Sequence, residues 1–269
     1  MTSVITAHLT LAVRLVDTTT GRELNQTDVS FYIDGELSNP MRKDSGIYVF
    51  VNTGKEDFLM QVSAYGYDDA FYDVKKETLD PRLPLLDVFL MPSEKNQSGG
   101  SVIKINGTLP GLDVIEAINL SRPIAAFQSV ATKKNITKMS LLPMTAGGGV
   151  SLDSMDYAII SKNQVRYEVF GVKEQDTSTT VILKEQLKYE HELNDRIFRI
   201  IYGRAGPRGD FILKVRDDSS TLDYLLYFKV DGQEYIRPID FHSEAGDIDP
   251  LKGATKIDAL VRKEETEDE

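Results

Sequence analysis

Short runs of alternating apolar and polar residues return every 10 to 15 residues between residues 9 and 92, and polar turns separate them. The runs "LTLAVRLVD" at 9–17 and "DVSFYID" at 28–34 place their apolar side chains on one face, which is typical of strands that bury one side of a sheet. The pair Asp34-Gly35, at the end of the second run, is a hairpin signal. Strands this close in sequence leave no room for connecting helices, so the pattern predicts an antiparallel sandwich.

The same alternation predicts which side chains fill the core of this sandwich. In "IYVFV" at 47–51, Tyr48 and Phe50 share one face of the strand and Val49 lies on the other. We expect the core to contain Val29, Phe31, Tyr48 or its neighbour Val49, Phe50 and Val62.

A polar segment, "SEKNQSGGS", interrupts the chain at residues 93–101. It contains two glycines and no apolar residue, a composition that favours a linker between domains. The predicted organisation is therefore a sandwich domain at 1–92, a linker at 93–101, a second domain at 102–255 and a charged, disordered tail at 256–269.

The second domain is rich in strand-like segments such as "VRYEVFGV", "RIFRIIYG" and "LDYLLYFKV". Their isoleucine, valine, tyrosine and phenylalanine content suits a half-buried pleated surface. In "LDVIEAI" at 112–118, Leu112, Ile115 and Ile118 follow a three-residue spacing that predicts a short helix. The fold class predicted for the chain is mainly β, with one or two short helices in the second domain.

Residues in the first domain follow an ordered motif: a Val-x-Asp-x-x-Thr-Gly turn, a strand ending in glycine, an Asp-x-x-Gly-x-aromatic turn and a last strand ending in Gly-Tyr. The matching positions are Val13, Asp17, Thr20, Gly21, Val29, Gly35, Asp44, Gly46, Tyr48, Phe50, Val62, Gly66 and Tyr67. Over residues 8–92 this pattern resembles the carboxypeptidase regulatory-like domain, a transthyretin-like sandwich. The resemblance implies a spacer or docking module and no active-site residue. Gly66 would bend the strand, and the hydroxyl of Tyr67 would reach a backbone group.

The composition excludes several kinds of site and partner. The chain has no cysteine, which excludes disulfides, thiolate zinc sites and cysteine nucleophiles. Its net charge of −11 argues against a nucleic-acid partner, because an acidic surface repels phosphate. No apolar segment reaches the length of about 18 residues that a membrane helix needs, so we expect no membrane insertion. The first residues do not resemble a signal peptide, which suggests cytoplasmic synthesis, with incorporation into a particle as an option.

The chain has three histidines, and none lies in a recognisable catalytic motif. His8 belongs to an apolar strand, and His191 in "KYEHELND" is interpreted as part of a solvated acidic face. The weak candidates for a metal site lie in the acidic segment "IDFHSEAGDID", where oxygen ligands recur at alternating positions. They are Asp240, His242, Glu244, Asp247 and Asp249. An ordinary acidic loop is the alternative that we favour, so no metal and no cofactor is expected.

Candidate interaction regions are the predicted hairpins at 203–209 and 217–221 and the acidic loop at 240–249. Arginines and tyrosines are enriched in interface cores, which singles out residues in and near these hairpins. The interaction candidates are Arg204, Arg208, Asp210, Tyr224 and Tyr227.

With no catalytic motif found, the sequence favours a non-catalytic structural or interaction protein. It would be a subunit of a larger assembly, such as a phage-tail-like or contractile-injection particle, with other protein subunits or copies of itself as partners. Two alternatives stay open. One is a module that binds carbohydrate or peptide, and the other is a hydrolase with its site in residues 102–255.

Overall fold

Strands make up nearly all the regular structure of the chain. The computed structural model describes residues 9–25, 28–55, 57–94, 102–133, 136–144, 149–161, 167–216, 223–241 and 243–257. Packing divides the chain into two units, Met1–Val102 and Ile103–Glu269. Most of the predicted linker, residues 95–101, lies outside the described residues, so the linker at 93–101 stays a prediction.

The first unit contains two sheets that enclose one core. Its strands are β1 (Leu9–Asp17), β2 (Arg22–Glu23), β3 (Val29–Ile33), β4 (Glu36–Ser38), β5 (Met41–Arg42), β6 (Tyr48–Val51), β7 (Asp57–Ala64), β8 (Ala70–Lys75) and β9 (Leu85–Leu90), with a 3₁₀ helix at Lys76–Thr78. One sheet has the order β2-β1-β6-β5, with β9 also paired to β1, and the other has the order β4-β3-β7-β8. Phe31, Tyr48, Phe50 and Val62 are buried between the sheets, as predicted, and Val29 is half-buried at the margin of the core. The first unit is thus a β-sandwich.

One strand pair departs from the predicted antiparallel arrangement. Strand β9 runs parallel to β1, in a continuous register from Ala12 opposite Leu85 to Asp17 opposite Leu90. Alternation along a sequence identifies a strand but not its direction, which here depends on how the chain returns through the 3₁₀ helix and the turn before Leu85.

A partly buried ion pair fixes the register of β1 and β9. Arg14 and Asp87 lie opposite each other, and the guanidinium donates from Nε to Asp87 Oδ1 (2.6 Å) and from Nη2 to Asp87 Oδ2 (2.7 Å). The side chain of Arg14 is buried and also pairs with Glu23 at 3.0 Å. A slip of one residue would move Asp87 to the other face of its strand and leave the guanidinium without this bidentate partner.

The turn after β1 is held by the carboxylate of Asp17. Its Oδ1 atom accepts hydrogen bonds from the backbone N–H of Thr19 (2.8 Å) and from Thr19 Oγ1 (2.6 Å), while Gly21 takes a φ of 57° that favours glycine. Its Oδ2 atom accepts the hydroxyl of Tyr67 at 3.0 Å. The hydroxyl was predicted to reach a backbone group, but its partner is this buried carboxylate.

Replacing Tyr67 with phenylalanine is expected to lower the free energy of unfolding by about 1–3 kcal/mol, because a buried carboxylate oxygen loses its donor. Urea denaturation would measure the change. Tyr32→Phe is the control, since it removes a hydroxyl from the outer surface of the same unit. If both substitutions change the free energy of unfolding by the same amount, the Tyr67–Asp17 hydrogen bond contributes no more stability than an exposed hydroxyl does.

The second unit is a stack of two sheets and a barrel. Its strands are β10 (Val102–Thr108), β11 (Leu112–Asn119), β12 (Ala125–Lys133), β13 (Ile136–Pro143), β14 (Asp156–Ile160), β15 (Tyr167–Thr177), β16 (Thr180–Leu183), β17 (Arg196–Arg199), β18 (Ile201–Tyr202), β19 (Arg204–Ala205), β20 (Asp210–Arg216), β21 (Asp223–Val230), β22 (Gln233–Asp240), β23 (Gly246–Asp247) and β24 (Thr255–Lys256). The sheets have the orders β19-β20-β10-β23 and β18-β11-β21-β22-β24, and the barrel closes in the order β12-β13-β16-β15-β14-β17.

The sheet that contains β11, β21 and β22 is the middle layer of this unit. On one face, Ile115 and Phe228 pack with Phe211 and Leu213 of the first sheet. On the other face, Ile118, Leu225 and Ile236 pack with barrel residues that include Ala158 and Phe198. Lys256 pairs with Tyr235, and Ile257 is buried in the same cluster, so the ordered part of the unit extends past the predicted end at residue 255.

The helices predicted for the second unit are not found among its described residues up to Lys256, and 112–118 lies in strand β11. The register between β11 and β21 shifts after Leu112, so Leu112 and Ile115 face the same core although they are three positions apart. Ile118 belongs to the core on the opposite face. A bulge and burial on both faces thus imitate a helical spacing. In the described part of the chain, no helix is long and apolar enough to cross a membrane.

Candidate functional site

The acidic segment proposed as a weak metal site is organised by hydrogen bonds and an ion pair. The carboxylate of Asp240 accepts the hydroxyl of Ser243 (3.1 Å), Glu244 pairs with Arg237, and Asp249 accepts the backbone N–H of Leu251 (3.0 Å). Asp247 is exposed in β23, and His242 lies outside the described residues. Among the residues that the structure describes, no group of three or more His, Asp or Glu side chains is arranged so that it could hold a metal ion.

The predicted contact hairpin at 203–209 is tied to the fold. Gly209 accepts the backbone N–H of Leu109 at 2.8 Å, and a Cβ atom at Gly209 would lie 2.0 Å from the Leu109 carbonyl oxygen. Arg204, Arg208 and Asp210 are exposed around this anchored turn. The other predicted hairpin, at 217–221, lies outside the described residues.

The two candidate tyrosines belong to the interior. Tyr224 is buried, its ring packs edge-on against Phe241 at 4.7 Å, and its hydroxyl accepts the Asn119 amide at 3.2 Å. Both faces of its sheet are covered, so Tyr224 is not at the surface of this unit, and its role in an interaction stays a prediction. Tyr227 is half-buried and stacks on Tyr167 at 4.8 Å. Burial and the neighbouring Glu234 raise the pKa of Tyr227.

A carboxyl group that the sequence did not single out lies among these tyrosines. Glu116 on β11 faces Tyr202 on one neighbouring strand and Tyr227 on the other. Glu116 Oε2 and Tyr167 Oη are buried, and neither has a hydrogen-bond partner within the described residues. Burial, assisted by the negative charge of Asp156, raises the pKa of Glu116 to about 7. The face of the middle sheet that packs on the barrel therefore carries a carboxyl group, Glu116, that is largely protonated in the folded protein below neutral pH.

His191 is the centre of a buried polar cluster that joins the loop before β17 to strand β15 of the barrel. Its side chain is 0% exposed, and those of Glu168 and Asp195 are 4% and 2% exposed. The Nδ1 atom lies 3.0 Å from Asp195 Oδ2, and Nε2 lies 3.2 Å from Glu168 Oε2. The carboxylates also accept backbone N–H groups, since Glu168 binds Lys188 (2.5 Å) and Tyr189 (3.1 Å), and Asp195 binds that of Glu192 (3.0 Å). We call His191, Glu168 and Asp195 the histidine cluster.

The interpretation of His191 as part of a solvated acidic face was wrong. Glu190 and Glu192 are exposed, but the histidine turns inward towards Asp195, four residues on, and Glu168 on β15. Both ring nitrogens face carboxylate oxygens, which suits a clamp between the loop before β17 and the barrel.

Apolar side chains cross the outer face of the sheet β4-β3-β7-β8 in the first unit. Leu37 lies opposite Tyr32, Tyr32 opposite Gln61, and Gln61 opposite Phe71, so the four side chains share one face. Leu37 is 61% and Phe71 60% exposed. Leu59, two residues before Gln61 on β7, lies on the same face, is 48% exposed and extends this surface. We call Leu37, Tyr32, Gln61, Phe71 and Leu59 the outer row.

Carboxylates border the outer row. Asp69 accepts the Gln61 amide at 3.0 Å, and Asp73 lies opposite Leu59. Lys75 is a nearby positive charge, 3.8 Å from Asp73. An apolar stripe with an acidic border is complementary to an apolar surface bordered by lysine or arginine.

Comparisons with known proteins leave the family of the chain open. No protein-family model and no curated protein matches the sequence. Among solved structures, the shaft pilin SpaA from Lactobacillus rhamnosus GG is 10% identical, with a TM-score of 0.23 over 90% of this chain and 96% of the pilin chain. The TIE protein of Bacillus anthracis is 9% identical, with a TM-score of 0.20 over 89% of this chain and 50% of that chain. Scores this low do not establish a shared fold.

Proposed function

We propose that the protein is a non-catalytic subunit that joins a larger protein assembly through the outer row of its first unit. The exposed apolar stripe of Leu37, Phe71 and Leu59 is the observation that carries the proposal. Leucine and aromatic side chains that are about half exposed or more on neighbouring strands lose contact with water when another protein covers them. The acidic border of the stripe favours a partner with lysine or arginine around an apolar centre.

The buried polar groups of the chain support a structural role. Arg14 with Asp87, Tyr67 with Asp17, and the members of the histidine cluster are engaged in internal hydrogen bonds. Each of these contacts fixes a strand or a loop to its neighbour. Interior polar groups used in this way specify the packing of the sheets.

We further propose that residues 8–92 form a carboxypeptidase regulatory-like module, and that the assembly is a particle of the phage-tail-like or contractile-injection kind. The turn held by Asp17 and Gly21, and the Gly66-Tyr67 pair that closes onto it, support the module assignment. Two β-rich units in one chain fit a particle subunit by analogy of architecture.

Replacing Leu37 and Phe71 together with serine is expected to weaken incorporation into the assembly at least tenfold, because two anchors of the apolar stripe are lost. The stability of the chain should change little, since both side chains are exposed. Light scattering of the purified protein and size-exclusion chromatography of lysate from the source cell would measure association. Leu83→Ser is the matched control, because Leu83 is 59% exposed outside the outer row.

Three outcomes would overturn the proposal. A wild-type chain that elutes as a 30.1 kDa monomer in both experiments joins no assembly. A double variant that assembles as well as wild type and Leu83→Ser would remove the outer row from the interface. Turnover of a small molecule by the purified chain would replace the structural role with an enzymatic one.

A further inference from the structure

Strand β12 has one edge that is open over most of its length. On one side β12 pairs with β13 from Ala125 to Lys133. On the other side it pairs with β17 at Ala125 and Ala126, and Phe127 then exchanges backbone hydrogen bonds with Asn194 (2.9 Å) and Asp195 (2.7 Å). Beyond Phe127, no strand of the described chain pairs with this edge, and residues 128–133 are exposed.

The register identifies the backbone groups that face the open edge. Lys133 and Ile136 are paired across a connection of two residues, so they form a hydrogen-bonded pair. Hydrogen-bonded and non-hydrogen-bonded pairs alternate along an antiparallel ladder. Val130, opposite Met139, and Thr132, opposite Thr137, therefore direct their N–H and C=O groups away from β13.

A pocket of about 550 Å³ lies along this edge. One wall is the strand, through Val130 and Thr132, and the other is the loop that leads to His191, through Gln186, Leu187 and Tyr189. Phe127, which packs against the ring of His191 at 5.9 Å, is also part of the lining. The histidine cluster fixes the loop to the barrel, so the second wall is held at its base.

We infer that the pocket receives an extended peptide of a partner protein, which adds as a strand to the open edge of β12. Its backbone pairs with Val130 and Thr132, and an apolar side chain fits among Phe127, Val130 and Leu187. The unpaired N–H and C=O groups of the edge recur at the spacing of a peptide backbone. The pocket beside them has apolar and polar walls that can receive the alternating side chains of such a peptide. The surface lies in the second unit, so the inference is independent of the outer row.

The test is selection of random eight-residue peptides from a display library on the full-length protein, followed by fluorescence polarisation with the enriched peptides. Thr132→Pro removes the outward N–H without touching the ladder to β13, and it should weaken binding at least tenfold. Thr132→Val keeps the backbone donor and should bind within threefold of wild type. Gln186→Trp, which fills the pocket from the loop, is the second variant in case the proline impairs folding.

The inference predicts enriched peptides with apolar residues at alternating positions, and unchanged binding in the variant with serine at positions 37 and 71. Failure to enrich any peptide would overturn it, as would peptides that bind Thr132→Pro and Gln186→Trp as tightly as wild type. Binding of a glycan array through this pocket, lost in Gln186→Trp but kept in Thr132→Pro, would identify a carbohydrate site in its place.

Discussion

Replacing His191 with leucine is expected to lower the free energy of unfolding of the second unit by about 3–5 kcal/mol. The change leaves the carboxylates of Glu168 and Asp195 buried without the imidazole between them. Leucine offers neither a donor nor a charge. Urea denaturation followed by circular dichroism would measure the loss, and hydrogen exchange in residues 184–195 would localise it.

The matched control adds Glu168→Gln and Asp195→Asn to the leucine substitution. The amide oxygens still accept the backbone N–H groups of Lys188, Tyr189 and Glu192, but the buried negative charges are gone. The triple variant should recover more than half of the lost stability. If His191→Leu costs less than about 1 kcal/mol, the histidine cluster does not clamp the loop.

Replacing Glu116 with glutamine is expected to stabilise the protein at pH 8 by about 2–3 kcal/mol and to change little at pH 4. The pKa of Glu116 is raised by burial from 4.5 in the unfolded chain to about 7 in the folded one. Between these values the folded state keeps a proton that the unfolded state has lost. Stability therefore falls as the pH rises through this window, and glutamine removes that loss.

Unfolding free energies of Glu116→Gln and wild type at several pH values between 4 and 8 would test this prediction. Asp113→Asn is the control, because Asp113 lies on the same strand but is exposed. The Glu116→Gln curve should diverge from wild type above about pH 5, whereas the Asp113→Asn curve should stay parallel to it. Parallel curves for both variants would contradict a protonated Glu116 in the folded protein.

The strands of the first unit were predictable because polar turns separate them and several, such as β6 and β7, bury alternate residues. Strand β1 begins and ends at the predicted residues 9 and 17, and the turn at Asp34-Gly35 has the positive φ angles of 50° and 84° that its sequence indicates. The parallel pairing of β9 with β1 was not predictable, because it depends on the path of the chain between distant segments.

The middle sheet of the second unit shows where alternation fails. Strands β11 and β21 contact a core on each face, so both the odd and the even positions along each strand carry apolar residues. The bulge after Leu112 then shifts the pattern by one residue, and a helical spacing results. The local sequence of such a strand looks like that of a buried helix. Only its pairing with strands that are distant in the sequence distinguishes the two.

The candidate sites depend on contacts between segments that are far apart in the sequence. His191 meets Glu168 across 23 residues, and the acidic residues beside it in the sequence point to solvent. The outer row combines one residue from each of four strands, with Leu59 two residues before Gln61 on β7. Only the register between strands shows that Leu37 and Phe71 share a surface.

The parallel pairing of β1 and β9 determines how the first unit would respond to tension. Leu9 begins one strand and Leu90 ends the other, so opposite pulls on these two residues act along the strands and load the six residue pairs from Ala12–Leu85 to Asp17–Leu90 in shear. Hydrogen bonds loaded together must break together, whereas those of a hairpin pulled from its open end separate one at a time. The bidentate contact of Arg14 with Asp87 lies within the loaded ladder and opposes sliding of one strand past the other. Under such opposite pulls, the first unit would resist the separation of β1 from β9.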